Sequence, residues 1–127
     1  MSNSELINIL DVPKIDKHGG EIKVFASPKT MGTTKLIMGT AILLPRTEIV
    51  EHVHDYGEEV IFVVQGAGKV FLDGKQTSIT AGDAFIARQG VKHKIINDSS
   101  AKLHLIFSCA PLAPSPQQGH RNMAKEL

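Results

Sequence analysis

Apolar and polar positions alternate in short runs along this 127-residue chain, with turn-forming residues between the runs. Nine such runs follow one another from Glu21 onward: IKVFAS, TKLIMGTAILL, EIVEHVH, EVIFVVQG, GKVFLDG, KQTSIT, DAFIAR, HKIIN and KLHLIFS. Each is rich in Val, Ile, Phe or Thr, and most repeat every second residue, the period of a half-buried strand. Pro45-Arg46, Gly66-Ala67-Gly68, Asp73-Gly74, Ala81-Gly82-Asp83, Gln89-Gly90 and Asn97-Asp98-Ser99 lie between them. Asp73-Gly74 predicts a tight hairpin, because both central residues of a type I′ turn need φ > 0. Evenly spaced strands without a helical period between them predict an all-β, antiparallel sandwich or small barrel. The chain divides into a lead-in over 1–20, a β-barrel domain over 21–112 and an extended tail over 113–127. Pro111, Pro114 and Pro116 keep the tail out of any central strand.

Composition narrows the function classes. Apolar residues make up 42 % and charged residues 21 %, the balance of an ordinary folded domain. Fourteen Lys and Arg against thirteen Asp and Glu give +1, with no basic stripe, so nucleic-acid binding has no electrostatic basis. No apolar run approaches a membrane span, and MSNSELINIL lacks the pattern of a secretory signal. One cysteine, Cys109, cannot form an internal disulfide, which fits a reducing cytoplasm. A lone Cys in an apolar run reads as buried and inert. Gly66-x-Gly68 is no dinucleotide fingerprint, since Phe71 stands where the third Gly belongs.

Six histidines in a chain with no Trp and one Tyr mark where chemistry lies. His52-Val53-His54 sits in an alternating run, so both imidazoles project from one face of a strand. Glu59 opens the next run and shares a face with Ile61 and Val63. Asp55-Tyr56-Gly57 predicts a turn that returns this second strand beside the first, bringing Glu59 near the histidine pair. His93 opens HKIIN after Gln89-Gly90. A strand histidine is by itself more often an ordinary core or surface residue; the ordered surroundings carry the metal reading. Three neutral imidazoles and one carboxylate suit a divalent transition ion (Zn, Fe, Mn, Ni or Co) and poorly suit Ca or Mg. Four protein ligands leave positions for water or substrate on an ion that takes five or six.

The spacing His52-x-His54-x4-Glu59-x6-Gly66, then Gly82-x7-Gly90-x2-His93-x3-Asn97, resembles the two motifs of the cupin superfamily. Fifteen residues separate Gly66 from Gly82, as in compact single-domain members. Two positions depart from the pattern: Arg46 stands where the first motif has Gly, and Arg88 where the second has Pro. The resemblance implies a double-stranded β-helix, or jelly-roll barrel, with His52, His54, Glu59 and His93 as metal ligands. Glu58 is the rival carboxylate, but the x6-Gly spacing and the face shared with Ile61 and Val63 favour Glu59. A wider stretch, roughly 18–120, includes HGGEIKVFASPKTMGTTKLIMG, EHVHDYGEEVIFVVQG and CAPLAPSPQQGH. It resembles small cupins of aromatic-polyketide biosynthesis, polyketide cyclases among them.

That likeness implies a metal-dependent cyclase or isomerase acting on a small carbonyl-containing molecule. The same ligand set also serves iron and nickel cupin dioxygenases, and a non-catalytic small-molecule binder is the alternative of another class. His104 is the candidate proton shuttle if Lys102, His104, Ile106 and Ser108 face the lumen; if Leu103, Leu105 and Phe107 do so, it lies on the surface. Tyr56 in the loop at the barrel mouth and Arg88 near His93 are the candidate substrate contacts. Ser27-Pro28-Lys29-Thr30 shapes an N-terminal strand, and His18 and His120, in polar terminal surroundings, read as inert. Small cupins commonly dimerise, and Leu6, Ile7, Leu10, Ile22, Val24 and Phe25 supply apolar surface for N-terminal strands in a homodimer contact.

Overall fold

A computed structural model describes residues 5–16 and 18–123. Residues 1–4 of the lead-in and 124–127 of the tail lie outside the described residues. All nine runs form strands: β1 (Glu21–Ala26), β2 (Ile37–Leu43), β3 (Thr47–Val53), β4 (Glu58–Gln65), β5 (Ala67–Leu72), β6 (Lys75–Thr80), β7 (Ala84–Ala87), β8 (His93–Asn97) and β9 (Leu103–Ala110). A tenth, β10 (Arg121–Asn122), comes from the proline-rich tail as a two-residue edge strand beside β3. Short 3-10 turns form at Ile9–Asp11 and Pro116–Gly119, and no helix among the described residues is long and apolar enough to cross a membrane.

Two five-stranded antiparallel sheets pack face to face as a jelly roll, ordered β1-β2-β9-β4-β7 and β10-β3-β8-β5-β6. Their inner faces meet through Ala41, Leu43, Ile49, Ile61, Val63, Val70, Ile79, Ile95, Leu103 and Leu105. Alternation is cleanest in β4, where Glu59, Ile61 and Val63 are buried while Val60, Phe62 and Val64 are exposed. The hairpin between β5 and β6 turns through Asp73 (φ 49°) and Gly74 (φ 84°), the conformation its sequence requires. Gly66 is needed twice over: its φ is 97°, and a Cβ there would lie 2.4 Å from the Lys102 carbonyl oxygen.

Candidate metal centre

The position of the site depends on an irregularity in β3. Ile49 pairs with Ile95 and His52 with His93, so three steps along β3 match two along β8. The surplus residue at Val50–Glu51 is a β-bulge, which reverses the facing of everything after it. Without it, Ile49 and the two histidines would point to opposite sides of the sheet. With it, buried Ile49 and buried His52 share the interior face. His54 follows just beyond the strand end, and its backbone carbonyl accepts a hydrogen bond from the Gly90 N–H at 3.0 Å. The turn before His93 is thereby docked onto the histidine pair.

His52, His54, Glu59 and His93 converge in the interior, each no more than 8 % exposed. One potential ligand atom from each lies within 4.8 Å of every other. Glu59 Oε1 stands 3.1 Å from His93 Nε2 and 3.3 Å from His54 Nε2. Donors bonded to one ion at ~2.1 Å would sit roughly 3.0–4.2 Å apart, so a small contraction brings the set to bonding distance. Glu58, the rival carboxylate, is on the exposed face of β4.

Tautomers decide what the imidazoles offer. Nδ1 of His52 lies 2.8 Å from the Val50 carbonyl, Nδ1 of His93 3.0 Å from that of Val91, and Nδ1 of His54 2.6 Å from that of Gly119. A carbonyl oxygen only accepts, so each Nδ1 carries the proton and donates it. In a neutral ring Nε2 then keeps the lone pair an ion would take, while in the metal-free fold the Nε2 atoms of His93 and His54 face the Glu59 carboxylate. Backbone carbonyls behind ligating imidazoles are the usual means of orienting them toward a metal. The donor set fits a divalent transition ion.

In the metal-free fold, electrostatics separate His52 from His54. Burial, aided by neighbouring His93 and His120, pushes His52 down to about 2, so the ring stays neutral at physiological pH. Burial opposes ionisation of Glu59, but contact with His54 and His93 draws its carboxyl well below the usual carboxylate range. Burial would likewise depress His54, yet contact with the Glu59 carboxylate carries it above the ordinary histidine value.

The other candidates lie elsewhere. Leu103 and Leu105 point inward and are buried, so His104 projects from the outer face of β9. There it lines a groove of about 500 Å³ with Ile7, Ile9, Leu10, Lys23 and Phe25 among its walls. The lumen position a proton shuttle needs is not the one the strand provides. Arg88 is exposed, and Tyr56, 39 % exposed, places its hydroxyl 3.5 Å from Gln118 Nε2. Burial and the Glu59 charge push the Cys109 thiol up to about 12, so it is no thiolate nucleophile at neutral pH. Thr30 Oγ1 donates to the Phe25 carbonyl at 2.9 Å and closes the Ser27–Thr30 turn. His18 and His120 are not inert bystanders: His120 stacks on His52 with centroids 4.1 Å apart and on His18 at 4.0 Å. Their only trace in the sequence is the histidine count, since neither sits in a patterned run.

A family profile of the cupin domain matches residues 39–109, which contain all four converging residues. The chain belongs to the cupin family. Protein SchB of Streptomyces halstedii is 36 % identical to this cupin over 110 residues, spanning 87 % of this chain and 80 % of that one. Polyketide synthase CurC of Streptomyces cyaneus is 35 % identical over 115 residues, spanning 88 % and 75 % of the two chains. Among solved structures, the polyketide cyclase RemF from Streptomyces resistomycificus superposes with a TM-score of 0.75 over 94 % of this chain and 85 % of that one. At 16 % identity that likeness speaks to the fold.

Proposed function

We propose that this cupin is a metal-dependent enzyme of the polyketide cyclase or isomerase type, acting on a small carbonyl-containing molecule. One observation carries the reading: three imidazoles, each donating from Nδ1 to a backbone carbonyl, gather around one buried carboxylate. His52, His54, Glu59 and His93 would hold a divalent ion, which when bound would supply Lewis acidity toward a carbonyl oxygen. The chain's own contribution is placement. Glu59 offsets part of the ion's charge, and the three histidines hold the donor geometry. The apolar interior around Ile61 and Leu105 excludes water from the reacting groups. The names of the relatives point to polyketide chemistry, whose chains are rich in carbonyls. We also propose that the protein acts as a homodimer, supported by Leu6 and Leu10, which are 86 % and 83 % exposed, and by the apolar outer face of β4.

The test is turnover of a poly-β-ketone substrate by protein loaded with Zn(II) under anaerobic conditions. Ring closure without oxygen supports the cyclase reading; a strict oxygen requirement with Fe(II) or Ni(II) would show the dioxygenase instead. His52→Ala should lose bound metal and at least a hundredfold in rate. A variant that loses the ion but keeps ligand affinity and rate would identify the metal as structural.

A further inference from the structure

Two of the three ligand histidines take their Nδ1 acceptor from close by in the chain: His52 uses Val50 and His93 uses Val91, each two residues earlier. His54 does not. Its acceptor is the carbonyl of Gly119, 65 positions away in the tail. The residues around Gly119 are tied down one after another. Gln118 Nε2 reaches Tyr56 Oη at 3.5 Å. His120 lies nearly parallel to His52, with an interplanar angle of 9°, and presents its other side to His18. Arg121 donates twice to Asp55, Nε to Oδ2 at 3.1 Å and Nη2 to Oδ1 at 3.0 Å. Asn122 pairs with His52 across the β10–β3 ladder, and its Oδ1 lies 2.5 Å from His120 Nε2.

We propose that Gln118–Asn122 is a strap that positions the metal ligands, with Gly119 and His120 as positioning residues and Arg121–Asp55 as its latch. The inference rests on the metal reading above and adds the element that orients two of the ligands. An imidazole Nε2 is aimed by two side-chain torsions. The Gly119 carbonyl fixes both the tautomer and the orientation of the His54 ring, while the His120 ring restricts rotation of His52. Without the strap those two rings must be ordered by the ion itself, and affinity falls accordingly. Coupling is reciprocal, so metal binding must tighten the strap as much as the strap tightens metal binding.

The experiment uses the full chain and Zn(II) as probe. Dissociation constants are measured by competition with a chromophoric chelator for the wild type, His120→Ala, Asp55→Arg, Arg121→Asp and the Asp55→Arg/Arg121→Asp charge swap. The single variants are expected to weaken Zn(II) binding roughly tenfold and the swap to recover most of it. In parallel, trypsin cleavage after Arg121 of the wild type is followed by mass spectrometry, and Zn(II) should slow it. That measurement needs no variant to fold. Wild-type zinc binding with unchanged constants in the variants, and cleavage after Arg121 indifferent to zinc, overturns the strap and leaves the metal reading standing. A wild type that binds no zinc overturns both.

Discussion

His52 and His120 face each other as neutral rings, and that neutrality has a consequence for the metal-free protein. Burial and neighbouring histidines push His52 down to about 2, and burial with His18 nearby pushes His120 down to about 4. An unfolded histidine titrates near ~6.5, so below that pH the unfolded chain takes up protons that the folded one refuses. Folding stability therefore falls as pH drops from ~6.5, and each of the two rings contributes until its own folded value is reached. His54 has the opposite sign: raised in the fold, it adds stability below ~6.5 that fades only at higher pH, so it does not offset the acid slope. Glu59, depressed in the fold, adds a further loss only through the carboxylate range. The melting midpoint of chelator-treated protein should decline steadily from about pH 7 to 5. His120→Phe, which keeps a ring in the stack and removes one proton site, should shallow that decline. A flat midpoint across the window would show that these rings are not held neutral.

Asn97 shows how one motif position joins whole elements. It is fully buried at the end of β8, with Nδ2 donating to the carbonyls of Leu43, at the end of β2, and Ala101. Its Oδ1 accepts from the Ser99 backbone N–H at 3.0 Å and from Ser99 Oγ at 2.7 Å. The contact with Leu43 crosses from one sheet to the other. Asn97→Ala should lower unfolding free energy by about 2 kcal/mol, read by urea titration, because the buried Leu43 carbonyl loses its donor. A loss under about 0.5 kcal/mol would mean water replaces the amide. At this scale the strands were legible in sequence because period and turn chemistry are local properties. The motif spacing likewise picked out the four residues that converge in the interior. Arg46, standing where the motif has Gly, still adopts φ 65°, so the loop keeps the glycine-like conformation despite the substitution. The bulge in β3 was not legible, since EIVEHVH reads as unbroken alternation and only pairing with β8 shows the extra residue. The facing of His104 depended on the same kind of information, namely which side of β9 meets the other sheet.

Taken as a whole molecule, the protein leaves one sheet face apolar and uncovered. Val60, Phe62 and Val64 are each at least 40 % exposed on the outer side of β4, and Leu6 and Leu10 project from the lead-in. Light scattering should give twice the 13.8 kDa chain mass, and Phe62→Glu should return it to the single-chain value. A wild-type monomer at micromolar concentration would remove the dimer. Contacts between distant parts of the chain were the least legible of all. His18 and His120 lie 102 residues apart, in segments whose local pattern carries no hint that they meet over His52. The bulge bears on how such a barrel can change over generations. Losing a single codon at Val50 or Glu51 would shift the strand by half a pleat, turning His52 and His54 outward and Val53 inward. The barrel could survive that event with an aliphatic lining, so a chemical centre and an inert fold stand one small deletion apart.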